Sequence, residues 1–350
     1  MIVNQIYRVA VASLALLVSA SAFSEDGDRW FRIELLVFAH ESPQTTEQWQ
    51  STPKLVYPGA ARFLVDPQLV ADNLSQHHAQ SNVDDFGRQV LTLLPEPGSL
   101  AAQEASIRAE QAAAQSLATT PAEPGDPNTP IPAVDEELEL LPMPFIALPS
   151  SQQEFRGKAA YMQRSGRYRT LFHETWVQPV ADEERALPII LDRSGDTGQW
   201  PLLQGSVKFY LSRYLHLQTN LWLNTKGEYL PGVWQMPAPP LGPPSLVIEA
   251  LPEPEVADNR EQWSDTTTVA DLVPEGELAA ETSLVTEDIG PIYPFRHAVL
   301  MQQDRRMRST EVHYIDHPLL GVVTKISPIT KDELESMALA EAASTGNQSQ

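Results

Sequence analysis

Apolar side chains recur along this chain with two different periods. Over residues 207–223 one parity holds Val207, Phe209, Leu211, Leu215, Leu217, Leu221 and Leu223. The other holds Lys208, Tyr210, Ser212, Tyr214, His216, Gln218, Asn220 and Trp222. A period of two marks a strand with one buried face, so this stretch reads as one long half-buried strand, or as two strands joined by a bend near residues 213–218. Residues 30–40 are dominated by β-branched and aromatic side chains and run into Glu41-Ser42-Pro43-Gln44, which predicts a mostly buried strand. Residues 168–177 read as another strand, stopped near Pro179. By contrast, residues 153–164 place Phe155, Ala159 and Met162 at helical spacing, with Gly166 as the C-cap. Ala298-Val299-Leu300-Met301 begins a strand, and residues 307–315 and 319–326 read as later strand segments. Ser309-Thr310-Glu311 is a candidate hairpin turn there, without the glycine that a two-residue loop prefers. Residues 329–342 predict a terminal helix whose short apolar stripe is Leu334, Met337 and Ala338, with Glu341 next on that face.

This order predicts an α+β fold on a mainly antiparallel sheet, with a few short helices and two long acidic insertions. The 350 residues suffice for one large domain or two modest ones. The 30 prolines outnumber the 17 glycines and cluster where acid clusters. Residues 95–140 hold nine acidic side chains against one basic, and residues 249–288 hold twelve against one. Together these segments carry −19 of the formal charge of −22, and their composition is that of disordered chain. The organisation expected is a signal peptide (1–22), a folded domain in three parts (23–94, 151–236 and 291–328), acidic insertions at 95–150 and 237–290, and a terminal helix and tail (329–350). The folded blocks are locally basic although the chain is acidic, and the net charge argues against a nucleic-acid coat.

The N-terminus predicts the compartment. Arg8 is followed by an apolar run over residues 9–18 and by Ala20-Ser21-Ala22, the pattern of a signal peptide cleaved after Ala22. A periplasmic protein is expected. No apolar run reaches the ~20 residues of a membrane-spanning helix, so the mature chain is expected to have no transmembrane segment. With no cysteine, disulfides, zinc–thiolate and iron–sulfur sites, cysteine nucleophiles and a lipid anchor at cysteine are excluded.

Candidate chemistry is sparse. There is no Gly-x-Ser-x-Gly elbow, Ser-x-x-Lys, Gly-x-Gly-x-x-Gly or phosphate-binding loop. His313 and His317 flank Asp316, but on a strand they lie ~13 Å apart, too far to share one ion; no metal or cofactor is expected. His77-His78 reads as solvated. Glu34, Glu174, Asp304, Glu311 and Asp316 lie in folded blocks, and no pattern selects a pair for glycoside cleavage. Asp304-Arg305-Arg306-Met307-Arg308 is a solvated edge or a docking surface for carboxylates or phosphates. Trp176, Trp222, Tyr210 and Tyr214 offer aromatic faces for core packing or sugar stacking.

Four blocks carry a resemblance. They are Trp30-Phe31-Arg32-Ile33-Glu34-Leu35-Leu36-Val37-Phe38, residues 168–179 from Tyr168-Arg169-Thr170 to Val177-Gln178-Pro179, residues 205–216 from Gly205-Ser206-Val207 to Tyr214-Leu215-His216, and residues 305–321 from Arg305-Arg306-Met307-Arg308 through His313-Tyr314-Ile315-Asp316-His317-Pro318 to Gly321. Together they resemble the CsiV family of periplasmic peptidoglycan-binding proteins. The resemblance implies a non-enzymatic protein that binds peptidoglycan. It also implies support for cell-wall synthesis by a class A penicillin-binding synthase through that enzyme's outer-membrane lipoprotein activator. A protein–protein adaptor and a cell-wall hydrolase are the alternatives. The resemblance carries over no binding map. The candidate peptidoglycan contacts are Arg305, Arg306 and Arg308 for stem carboxylates, with His313 and Tyr314 beside them. On one strand Arg306 and Arg308 face one way and Arg305 the other.

Overall fold

The computed structural model describes residues 29–41, 45, 47–95, 98, 140–194, 198–250 and 292–347. The signal-peptide reading and most of both acidic insertions lie outside the described residues. In chain order the elements are β1 (Arg29–His40), α1 (Pro67–Ser75), β2 (Ala79–Val83), β3 (Gln89–Leu93), α2 (Arg156–Arg164), β4 (Tyr168–Val180), β5 (Ile189–Ile190), β6 (Leu203–Leu211), β7 (Leu215–Thr225), β8 (Leu246–Glu249), β9 (His297–Met307), β10 (Val312–Asp316), β11 (Leu320–Pro328) and α3 (Lys331–Asn347). The fold is α+β. One antiparallel sheet runs β10-β11-β1-β4 and a second runs β5-β6-β7-β9. A small third sheet, β2-β3-β8, holds a parallel pair between β3 and β8. No described helix is long and apolar enough to cross a membrane.

The two larger sheets share one core. Ile33, Leu35 and Val37 of β1 and Trp176 of β4 meet Val207, Phe209, Leu217, Leu221 and Met301 of the second sheet. The Trp176 and Phe209 rings meet edge to face at 5.9 Å. Helices cover the other face of the first sheet. Phe155 and Ala159 of the α2 segment pack on Leu36 and Phe38, and Leu334 and Met337 of α3 pack on Trp30 and Val177. With both faces covered, β1 is buried nearly throughout rather than alternating, as its continuous apolar run requires.

Several local expectations meet the structure at their edges. The long alternation is a hairpin: β6 and β7 join through residues 212–214, closed by Leu211 opposite Leu215. β4 runs through Pro179, which pairs with Trp30 of β1. It can do so because β4 is the last strand of its sheet and a proline there leaves no ladder bond unmade. α2 begins at Arg156 rather than residue 153, because the Glu154 and Phe155 N–H groups both donate to the Glu34 carboxylate, each at 2.8 Å. Gly166 does hold the left-handed conformation that ends the helix, at φ 68°. The turn at residues 309–310, with Thr310 at φ 68°, carries the chain from one sheet to the other rather than closing a hairpin. Among the described strands β9 pairs with β7, and β10 with β11. Glu341 prolongs the docking of α3, since its carboxylate accepts the Met143 N–H at 3.0 Å.

Candidate functional site

Pairing sorts the outward side chains of β6, β7 and β9 onto one face of the second sheet. Tyr210 lies opposite His216, His216 opposite Arg306, Gln218 opposite Asp304, and Asn220 opposite Gln302. Half of this face is closed: Leu55, Trp200, Met236 and Tyr293 pack over Trp222 and Ala298. Beneath that cover a buried polar network anchors the overlying chain. Gln204 Oε1 accepts from Trp222 Nε1 (3.2 Å) and Asn224 Nδ2 (2.9 Å), and Trp200 Nε1 donates to the Pro239 carbonyl at 2.9 Å. The cover reaches as far as Val56, whose carbonyl accepts Asn220 Nδ2 at 2.9 Å. Beyond it lie Lys208, His216, Gln218, Gln302, Asp304 and Arg306, all at least partly exposed. No apolar cluster of described residues covers them.

This open half is built and not merely left over. Tyr210 donates its hydroxyl to Asp304 Oδ2 at 2.8 Å, and His216 Nδ1 lies 2.9 Å from Asp304 Oδ1. The Tyr210 and His216 rings stack with centroids 4.8 Å apart and an interplanar angle of 14°. Burial pushes the Asp304 carboxyl up, but the hydrogen bonds from His216 and Tyr210 outweigh it and hold it below the ordinary carboxylate range. At the hairpin tip the Arg306 guanidinium carbon lies 4.6 Å from the Tyr214 ring centroid, and that of Arg213 lies 5.6 Å from the same ring. The result is a polar surface with a fixed carboxylate, Asp304, and guanidiniums at the hairpin-tip end.

The structure separates the residues that adjacency in sequence had grouped. Arg306 stands on the open face. Arg305 points the other way from β9 and reaches the Tyr314 carbonyl at 3.4 Å. Arg308 lies in the crossover turn, 3.6 Å from Glu311. His313 Nε2 closes that turn, 3.1 Å from the Arg308 backbone nitrogen and 3.0 Å from its carbonyl. Tyr314 belongs to the first sheet, where its ring stacks on Phe38 and its hydroxyl donates to Asp316. Among the aromatic candidates Trp176 and Trp222 are core residues with no exposure, Tyr210 is buried, and Tyr214 is 43% exposed. His317 stacks on Trp49, with centroids 6.0 Å apart. His77 Nδ1 contacts the Asn73 carbonyl at 2.9 Å. Among the described residues no three metal-ligating side chains gather.

The carboxylates are equally dispersed. Glu34 is buried on the helix-covered face of β1, where it accepts two backbone N–H bonds and lies 2.8 Å from His173 Nε2. Glu174 is half-buried; burial pushes its carboxyl up against the opposing influence of Arg193. Lys208, His216, Gln218, Gln302 and Arg213 were not singled out as contacts from sequence. For Lys208, His216 and Gln218 the signal was the polar parity of the alternating stretch, and for Arg213 the bend that puts it at a hairpin tip; Gln302 lies outside that stretch, on β9, and only its pairing with Asn220 brings it to this face.

A family model described as peptidoglycan-binding protein, CsiV, matches residues 9–329, a span that includes both acidic insertions. No curated protein and no solved structure matches the chain. A match over nearly the whole chain, on the blocks that build both large sheets, shows that the chain belongs to the CsiV family of peptidoglycan-binding proteins.

Proposed function

We propose that this chain is a non-enzymatic periplasmic protein that holds peptidoglycan on the open half of the second sheet. In that role it supports cell-wall biogenesis and cell shape, aiding a class A penicillin-binding synthase through its outer-membrane lipoprotein activator. The observation that carries the reading is the division of one sheet face, closed by Leu55, Trp200, Met236 and Tyr293 at one end and left polar and accessible at the other. A sheet face lined by planar polar side chains suits a long, flat polymer studded with amides and carboxylates. The non-catalytic part of the reading draws support from the engaged carboxylates. Asp304 is held by Tyr210 and His216, and Glu34 by backbone N–H groups and His173.

Co-sedimentation with purified sacculi tests the proposal. The protein is expected to pellet without releasing soluble muropeptides. Gln218→Ala/Gln302→Ala is expected to pellet roughly tenfold less tightly, the loss that two ordinary hydrogen bonds predict. A protein that stays in the supernatant sinks the wall-binding reading, and release of soluble fragments turns it into a hydrolase.

A second observation favours the adaptor alternative. All three Arg296 guanidinium nitrogens donate to carbonyls of one loop, those of Gly227, Leu230, Pro231, Gly232 and Trp234, between 2.5 and 3.1 Å. That loop thereby holds Val233 98% exposed and Trp234 43% exposed. If the adaptor reading is right, Val233→Ser/Trp234→Ser weakens capture of the activator lipoprotein and leaves sacculus pelleting unchanged.

A further inference from the structure

Which groups on the open half-face are already satisfied decides what that face can bind. We infer that it grips free carboxylates of the wall's stem peptides with Arg213 and Arg306, and that it does not stack on the sugar rings of the glycan. The inference rests on the peptidoglycan-binding reading above and names the part of the polymer recognised. Arg213 is not among the contacts that the sequence suggested.

Three observations carry it. First, both guanidiniums are exposed, and among the described residues neither has a carboxylate partner. Asp304, two positions from Arg306 on the same face, is occupied by Tyr210 and His216. Glu311 lies beside Arg308 instead. Second, both guanidiniums lie against Tyr214, at 4.6 Å for Arg306 and 5.6 Å for Arg213. A ring quadrupole orients a guanidinium without neutralising it, so the two forks are restrained before a ligand arrives and less freedom is lost on binding. Such forks match carboxylate geometry, and an ammonium does not. Third, among the described residues the aromatic rings of this face are already engaged. Trp222 has no exposure, Tyr210 lies beneath His216, and the Tyr214 ring already carries Arg306.

The test is competition against sacculus pelleting with three soluble probes. These are the stem tetrapeptide L-Ala-γ-D-Glu-meso-diaminopimelate-D-Ala, the same peptide with its carboxylates amidated, and an N-acetylglucosamine tetramer. The free-acid peptide is expected to displace the protein, and the amidated peptide and the sugar are expected to be inert. Arg213→Ala and Arg306→Ala should each weaken the peptide roughly tenfold, as loss of a charge-assisted hydrogen bond predicts. Arg306→Lys should recover only part of that loss, because it keeps the charge and loses the fork. Both arginines are exposed, so these variants keep the fold, which circular dichroism checks. Displacement by the sugar but not the peptide overturns the inference. So does unchanged pelleting of the Arg213→Ala/Arg306→Ala variant. Direct calorimetric titration of the same free-acid peptide keeps the two failures distinguishable: peptide binding without sacculus pelleting would leave the carboxylate site standing and remove the wall-binding reading.

Discussion

Two carboxylates, Glu34 buried and Asp192 half-buried, show how environment, and not residue type, sets the behaviour of a single side chain. Burial pushes the Glu34 carboxyl up, yet His173 and the N–H groups of Phe155 and Glu154 overcome it and hold the group below its ordinary value of 4.5. A depressed folded value means that its stabilisation is complete above the unfolded value and is lost as pH falls through the folded one. Glu34→Gln should therefore cost about 2 kcal/mol at pH 7, the scale of hydrogen bonds to a charged acceptor. The gap from the wild type should close in urea titrations below the carboxylate range. Asp192 is the opposite case. Burial outweighs its bonds from Tyr57 and the Gly205 N–H, and its carboxyl is pushed up to about 6 from 3.8. The native state then binds this proton more tightly than the unfolded chain, so stability falls as pH rises from about 3.8 to about 6 and stays lower above. Asp192→Asn keeps an acceptor for the Gly205 N–H and removes the charge. Its amide nitrogen faces the Tyr57 hydroxyl and cannot accept that proton, so the effect to read is the slope, which should flatten, as denaturation at pH 4 and pH 7 measures.

At the scale of elements, short-range chemistry decides where strands and helices stop, and part of it was legible. Gly166 reads as a helix end because a left-handed residue is needed there, and it is one. α1 went unread, although Asp66 and Pro67 announce it: the Asp66 side chain accepts the Gln68 and Leu69 N–H groups, and Pro67 fills the first turn. The Thr330 and Glu333 pair that caps α3 also stands in the sequence, with each side chain accepting the other's backbone N–H. Gly205 is different, because its role depends on a neighbour in space. It sits at φ 112°, and a Cβ there would lie 2.1 Å from the Asn220 carbonyl oxygen of the paired strand. Gly205→Ala should destabilise the protein by about 3 kcal/mol or more through strain and clash. Because β6 and β7 form the floor of the open face, the variant should also weaken sacculus pelleting, and thermal unfolding followed by a pelleting assay reads both.

At the scale of the molecule, the two large sheets depend on one another. Trp176 is a fully buried side chain of the first sheet in edge-to-face contact with Phe209 of the second, so removing it opens the shared core from both sides. Trp176→Ala should cost about 3–5 kcal/mol. Far-ultraviolet circular dichroism and tryptophan fluorescence should still report one coincident transition, since neither sheet retains a covered inner face without the other. Two separated transitions would show that the sheets are independent. The chain's acidity also misleads at this scale. Most of it lies in two segments, whereas the open face ends in uncompensated guanidiniums. Pelleting should accordingly weaken between 0.05 and 0.5 M salt, because exposed ion pairs are screened over about a Debye length.

Alternation along residues 207–223, the apolar run of β1 and the helical spacing before Gly166 determined the α+β class and which side chains turn outward, because period and burial are properties of neighbours along one chain. The family was legible too, since its blocks are contiguous runs of residues. Three things were decided only by tertiary structure. One was that the crossover turn divides Arg306 from His313 and Tyr314, which lie close in sequence but belong to different sheets. Another was that Trp176 and Trp222 are core rather than surface. The third was that Arg213 meets Arg306 across one tyrosine ring from 93 positions away. Pairing between distant strands sets each of these, and a period read along the chain carries no record of which strand will lie alongside.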